Sequence, residues 1–312
     1  MGGGAMRKLA VVILTYNSDH DLPMCLRGIM AQRDVHLDVI VVDNGSEASS
    51  QTKMRTVFRA VLPGCRELQA GDVVPSDYRH GTGIFVSNAS NAGYSAGNNI
   101  GARLAVALGC EAVLVINPDV RIETADYLLR LAGTLFASER NAVAASTVWS
   151  LAGVNENPMF EPGFSRELLA PFFMLVASLS RGRLGANPKP GALTGNDKFS
   201  GCCFLVRSTF LKHIGYFDEN VFLYCEEAIL AAQVRRAGLR SVYNGEISAV
   251  HAHRASEKGD PVRRLSLWAQ SRRYYHAHYL RTGPAALAAL RMSHGVMLAM
   301  SRIRAQAQRR GR

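Results

Sequence analysis

The chain alternates between two hydrophobic periods. Residues 8–14 (KLAVVIL), 37–42 (LDVIVV), 112–116 (AVLVI) and 142–148 (AVAASTV) are short apolar runs rich in β-branched side chains. That is the pattern of strands buried on both faces. Further strand-like runs begin at 84–86 and 199–206, and a strand end is expected at 248–251. Between them, residues 19–32 carry Leu22, Leu26, Ile29 and Met30 at helical spacing. Helices are also predicted to run up to 108, over 125–136 and over 225–237; the last is closed by Gly238 and has Arg235 and Arg236 in its final turn. Strands alternating with helices predict an α/β fold: βαβ units forming a mainly parallel central sheet flanked by helices.

Residues 150–197 break this rhythm with Pro, Gly and Asn around an apolar patch, LLAPFFMLVASL. The segment reads as an insertion or acceptor-side lid, or as a helix packed on the core. The expected organisation is one α/β domain over 6–253, followed by a basic helical extension over 254–312 made of two or three helices.

Charge sharpens that boundary. The net charge of +11 comes from the last 59 residues, where 13 Lys and Arg face two acids, Glu257 and Asp260. Such a segment is either a solvated helical face or a surface for anionic lipid, nucleic acid or an acidic partner. No apolar stretch reaches about 18 residues, so no spanning helix is expected. Arg7 and Lys8 run straight into the first strand, so no leader peptide is expected either. The six cysteines have no CxxC or metal-finger spacing and read as buried thiols of a reducing compartment.

In open parallel sheets, ligands bind beyond the carboxyl ends of the strands. Three polar groups fall there: Thr15, Tyr16 and Asn17; Asp43 with Asn44, Gly45 and Ser46; and Asn117, Pro118 and Asp119. Asp43 could accept from the ring N–H of a uracil or thymine base and Tyr16 could cover the base, although each group alone is also ordinary turn chemistry. In NAGYSAGNN (91–99), Gly93 and Gly97 permit close backbone approach, and the start of the following helix suits a phosphate. No GxGxxG follows the first strand, which argues against a dinucleotide fold. Asp119 could cap a helix or, beside a diphosphate, bind Mg2+ or Mn2+. His251 and His253 (VHAH) stand at another strand end, and one imidazole beside a carboxylate-bound Mn2+ is reasonable chemistry.

Taken in order, TYN, VVDNGS, NAGYSAGNN, NPD, SGCCFLVR, GYFDE, FLYCEE and VHAH resemble the motifs of the family 2 glycosyltransferases. The set is most similar to their bacterial rhamnosyltransferase-like branch, which works on O-antigen and other surface polysaccharides. The resemblance spans roughly residues 8–253. It implies a GT-A fold, a nucleotide-sugar donor (dTDP-rhamnose or a UDP-sugar), a divalent cation (Mn2+ or Mg2+) and inversion at the anomeric carbon. It further implies that Thr15, Tyr16, Asn17 and Asp43 hold the nucleoside and that Asn91, Gly93, Gly97 and Asn98 line the nucleotide-sugar pocket. Asp119 matches the last acid of the family's DxD motif, Asn117 stands in the place of its first acid, and His251 matches a histidine that can complete the metal site. A saccharide or lipid-linked acceptor is implied as well. Together with the basic tail, this places the protein in the cytoplasm, in peripheral contact with the inner face of a bacterial membrane.

Glu226 and Glu227 align with the family's paired acids, the second of which is the usual base, while Ile229 replaces a later Asp. Helical spacing favours Glu227, because Leu230, Ala231 and Val234 lie three, four and seven positions beyond it. Desolvation there would raise its pKa toward the range of a general base. Both glutamates would also complement a helix N-terminus. Two other readings stand beside this one. One is a catalytically impaired nucleotide-sugar-binding or scaffold protein at the membrane, suggested by Asn117 and Ile229. The other is a nucleic-acid binder built on the basic tail with Trp268, Tyr274, Tyr275 and Tyr279, which is disfavoured because the core offers no known nucleic-acid module.

Overall fold

The computed structural model describes residues 7–179, 198–253 and 259–310. Their elements, in chain order, are β1 (Lys8–Thr15), α1 (Leu22–Met30), β2 (His36–Asn44), α2 (Ala48–Val61), β3 (Arg66–Gln69), β4 (Ile84–Asn88), α3 (Tyr94–Ala107), β5 (Ala112–Ile116), β6 (Val120–Arg121), α4 (Tyr127–Phe136) and β7 (Asn141–Ser150). There follow α5 (Phe164–Leu168), α6 (Ala170–Leu179), β8 (Cys203–Arg207), α7 (Ser208–His213), α8 (Glu226–Arg236), β9 (Arg240–His251), α9 (Pro261–His278) and α10 (Pro284–Arg310).

The strands form one nine-stranded sheet in the order β3-β4-β2-β1-β5-β8-β7-β9-β6. Five of its pairings are parallel: β1 with β2 and β5, β2 and β3 with β4, and β7 with β9. β8 runs antiparallel to β5 and β7, and β6 antiparallel to β9. The architecture is therefore the expected mixed α/β fold with a largely parallel central sheet. Successive residues of a strand face opposite sides. Leu9, Val11 and Ile13 accordingly pack with α1, α2 and α4, while Ala10 and Val12 pack with α3, α7 and α8. Both faces are dry, which is why these strands read as continuous apolar runs.

The hydrophobic pattern assigns nothing between 47 and 83, yet α2 and β3 lie there. α2 buries only Ser50, Met54 and Phe58, and β3 only Leu68, so neither carries a strong periodic signal. The apolar patch of the 150–197 segment forms α5 and α6, which pack against α10; the part of that segment from 180 to 197 lies outside the described residues. Five of the six cysteines are buried, and all are free thiols.

A buried charge ties these outer helices together. Glu167 of α5 accepts from Arg272 Nε at 3.0 and 3.1 Å, and His276 Nε2 lies 3.1 Å and His294 Nε2 3.3 Å from its oxygens. Arg272 also reaches Glu161 at 2.6 Å, which Lys198 meets at 2.7 Å. Burial alone would raise the Glu167 carboxyl, but these donors outweigh it and hold the group well below its ordinary range. Arg272 thus belongs to the basic segment by sequence and to the interior by position. Replacing it alone, as Arg272→Met, strands a buried carboxylate and is expected to cost about 3–5 kcal/mol in urea denaturation, whereas the paired change Glu167→Leu with Arg272→Met costs much less.

Candidate active site at the carboxyl edge of the sheet

Parallel pairing brings the carboxyl ends of β1, β2, β4 and β5 to one edge. Because β8 is antiparallel, it begins at that same edge, with Cys203 opposite Ile116. β9 ends there too: His251 pairs with Val120 of β6 and with Ser150 of β7. Three segments distant in sequence thus converge: Asn117–Asp119 after β5, Gly201–Cys202 before β8, and Glu156 with His251 and His253 beyond β7 and β9.

The convergence makes a compact polar cluster. His251 Nε2 and His253 Nδ1 each lie 3.3 Å from Asp119 Oδ2, and His251 Nδ1 lies 2.9 Å from Glu156. The backbone pins it as well, since Ala252 N–H donates to Asp119 O at 2.8 Å and Asn117 N–H to Cys202 O at 2.8 Å. Burial alone would raise the Asp119 carboxyl, but His251 and His253 outweigh it and hold it below its ordinary value. Burial alone would lower His251; Asp119 and Glu156 outweigh it and raise it to about 9. Asp119 Oδ1 is buried and has no hydrogen-bond partner among the described residues. An orphaned oxygen donor beside two imidazoles, with all three ligand atoms within 4.8 Å of one another, fits a divalent cation, and Mn2+ accepts this mixture of oxygen and nitrogen donors. Glu156, Cys202 and His251 form a second, overlapping group. Sequence reasoning weighed His253 as half of an HxH pair but missed Glu156, which sits in an Asn-rich loop with no distinguishing spacing.

On the other side of the Gly201–Cys202 turn stand the two glutamates. The chain reaches α8 through Tyr224 and Cys225, both left-handed at φ 70° and 72°, a conformation strained for non-glycine residues. The backbone N–H groups of Tyr224 and Gly201 favour the charged forms of Glu226 and Glu227 respectively. Both are half-buried and line a pocket with Tyr94, Phe199, Gly201 and Phe217. Burial, then the Glu227 charge, pushes Glu226 up to about 8. Burial also raises Glu227, against the Lys198 charge and the Gly201 N–H. The Tyr94 hydroxyl donates to Gly201 O, so one turn carries contacts to both halves of the site.

The strand-end residues expected to hold a nucleoside are tied mainly to one another. The Thr15 hydroxyl donates to Val42 O at 3.1 Å, Asn17 exchanges hydrogen bonds with Ser46 and Glu47, and buried Asp43 accepts from the Ser46 N–H at 3.2 Å. Tyr16 is the open member, 53% exposed. At the two glycines, protein makes the close approach. A Cβ at Gly93 would stand 2.5 Å from Phe222 O, and one at Gly97 2.5 Å from Leu14. The Tyr94 N–H at the start of α3 donates to Phe222 O at 2.9 Å. Asn91 accepts from Asn44 and from the Gly93 N–H, and Asn98 is buried, its amide donating to Tyr94 O while its Oδ1 has no partner among the described residues. These residues therefore join β2 to the loop that leads into α8.

No family model matches this sequence. It is 26% identical over 247 residues to the low-salt glycan biosynthesis hexosyltransferase Agl10 of Haloferax volcanii, covering 78% of this chain and 66% of that protein. It is 27% identical over 281 residues to an N-acetylglucosaminyl-diphospho-decaprenol L-rhamnosyltransferase of Mycobacterium tuberculosis, covering 83% and 80%. In structure it resembles the mannosyltransferase PcManGT of Pyrobaculum calidifontis, solved with GDP-Man and Mn2+, with a TM-score of 0.56 at 17% identity over 97% of this chain and 76% of that one. It also resembles S. aureus TarS, with a TM-score of 0.51 at 15% identity over 87% and 40%. The architecture is of the GT-A type, and the chain is related at low identity to glycosyltransferases.

The glutamate pair makes a signed prediction. An acid raised in the folded state favours that state at low pH and loses the advantage as pH rises from about 4.5 through about 8. The double variant Glu226→Gln with Glu227→Gln should therefore match the native chain in urea midpoint near about pH 5 and exceed it near about pH 9.

Proposed function

We propose that this protein is an inverting, metal-dependent glycosyltransferase that moves a sugar from a nucleotide-sugar donor to a hydroxyl of a saccharide or lipid-linked acceptor. The observation that carries the reading is the single Gly201–Cys202 turn between a desolvated glutamate pair and the Asp119–His251–His253 cluster. Glu227, beside Gly201, takes the proton from the acceptor hydroxyl, whose oxygen attacks the anomeric carbon as the bond to the nucleoside diphosphate breaks. Burial raises the Glu227 pKa, in the direction a general base requires. Asp119, His251 and His253 would hold the cation, which neutralises charge on the leaving diphosphate when bound. Tyr16 covers the base, and Asp43 at the end of β2 meets its edge. dTDP-rhamnose is the first donor to test, since the mycobacterial relative is named for L-rhamnosyl transfer, and UDP-sugars are the next.

Glu227→Gln is expected to lower turnover by about 10²–10⁴-fold while a thermal shift with nucleotide sugar and Mn2+ persists. Near-native turnover would sink the assignment of the base. A native chain that binds donor yet neither transfers nor hydrolyses it would favour the impaired, nucleotide-sugar-binding reading.

We place the working protein at the cytoplasmic face of a bacterial membrane. Among the described residues no helix is long and apolar enough to cross one. The support is an outer surface on which α6 exposes Phe172 and Phe173 and α10 exposes Met292, Val296 and Ile303 beside Arg291, Arg302 and Arg304. Near anionic lipid each such arginine contributes about 1 kcal/mol. Co-sedimentation with phosphatidylglycerol liposomes should fall clearly in Arg291→Glu with Arg302→Glu, and unchanged binding would defeat the placement.

A further inference from the structure

His251 stands between two carboxylates. Its Nε2 lies 3.3 Å from Asp119 Oδ2, and its Nδ1 lies 2.9 Å from Glu156 Oε2. The two nitrogens of one ring thus face different partners. On the Nε2 side are Asp119 and His253, the oxygen and nitrogen donors that suit Mn2+. His251 also joins Glu156 and Cys202 in a second set, in which one ligand atom from each residue lies within 4.8 Å of the others.

The second set differs in kind, because it contains a thiol. Sulfur, imidazole and carboxylate together are a donor set for Zn2+, whereas thiolate is a poor ligand for the harder Mg2+ and Mn2+. Cys202 is buried, and the Ser200 hydroxyl donates to its Sγ at 3.2 Å, a contact that orients the sulfur. Glu156 is the open member, its side chain 33% exposed, which gives a cation an approach from solvent.

The shared ring makes the two sets compete. A neutral imidazole has one lone pair and one N–H. When Nε2 binds a cation beside Asp119, the Nδ1–H is left for Glu156. When Nδ1 binds a cation beside Glu156 and Cys202, the Nε2–H is left for Asp119. Each carboxylate is therefore a ligand in one state and the acceptor that orients the ring in the other, the usual pairing of a metal-bound histidine with a carboxylate.

We infer that Glu156, Cys202 and His251 form a second cation site, selective for Zn2+ and similar thiophilic ions, whose occupancy excludes Mn2+ from the Asp119 cluster. On binding, the Cys202 thiol releases its proton to solvent and the sulfur coordinates as thiolate, with a water in the fourth position. Zinc held there removes the cation that neutralises the leaving diphosphate and so switches transfer off. That consequence rests on the transferase reading; the site itself does not.

The test uses Co2+, Zn2+ and Mn2+ on the full chain, with a non-chelating phosphine reductant. Co2+ should give a thiolate-to-cobalt charge-transfer band in the near ultraviolet, and Zn2+ should displace it. Zn2+ added to the Mn2+-loaded chain should release free Mn2+, read by electron paramagnetic resonance. Cys202→Ser, which keeps the carbonyl that meets the Asn117 N–H, should abolish the band and weaken Zn2+ binding by at least about tenfold, with Mn2+ affinity within about threefold of native. Glu156→Gln should also weaken Zn2+ by about tenfold or more and spare Mn2+, since an amide oxygen still accepts the Nδ1–H. Asp119→Asn should do the reverse, losing Mn2+ and keeping the cobalt band. Cys65→Ser, at the least buried thiol, should leave the band intact. Each variant is scored on a chain whose thermal melt remains cooperative. No sulfur band, a band that survives Cys202→Ser, or Zn2+ bound without release of Mn2+ overturns the inference. Sugar transfer is scored separately. A chain with the Cys202-dependent band and Mn2+ release that transfers no sugar retains the site and loses the transferase reading. A chain that transfers sugar with Mn2+ but shows no such band retains the transferase and loses the site.

Discussion

A carboxylate sealed inside a protein must be neutralised, because its desolvation costs several kcal/mol. Glu167 imposes that requirement here, and Arg272, His276 and His294 meet it. Meeting it brings α5, α9 and α10 to one point. With α9 held, its other side chains settle the loop before α8: Tyr274 and Tyr279 donate to Asp218, Ser271 to Leu223 O, and Arg264 to Tyr224. The ion pair also reaches the loop directly, since Arg272 lies 3.7 Å from the Sγ of Cys225, the residue before Glu226. α9 and α8 also share an apolar cluster in which Tyr275 packs with Val221, Cys225 and Ile229.

A second constraint acts on the opposite half of the site. Strand register leaves little freedom, because a slip of one residue turns every side chain to the other face. The pairing of Val120 with His251 therefore determines that Asp119 meets both imidazoles. The pairing of Ile116 with Cys203 determines that Gly201 and Cys202 follow at the same edge. Consecutive residues of this turn serve different halves, Gly201 the glutamates and Cys202 the metal-type cluster. The glutamate pair and the metal-type cluster are thus brought to one turn by backbone geometry first and side chains second.

Some of this is plain in the linear chain. Runs such as KLAVVIL and AVLVI announce buried strands because both their faces are apolar, and the polar residues that end them stand where ligands bind to such sheets. Asp119 and His251 could be singled out that way, whereas the Glu226–Glu227 pair stood out as a helix start that matches the paired acids of the resembled family. α2 could not, since it contributes two apolar side chains to the core and otherwise meets solvent. Gly93 and Gly97 illustrate a different limit. A glycine signals close approach, but the sequence does not say what approaches, and here it is Phe222 and Leu14.

What the sequence determined by itself was local: the periods of its strands and helices, the class of sheet they form, and which strand ends carry reactive groups. Local patterning suffices there because burial on two faces or one leaves its mark residue by residue. Only the tertiary structure decided that His253 joins Asp119 and Glu156 joins His251, that Gly201 stands beside Glu227, and that Arg272 is interior while Arg291 and Arg302 are exposed. Those outcomes depend on strand order, register and helix packing, which bring together residues as much as 134 positions apart. A charge carries no mark of its eventual surroundings until the chain has closed around it.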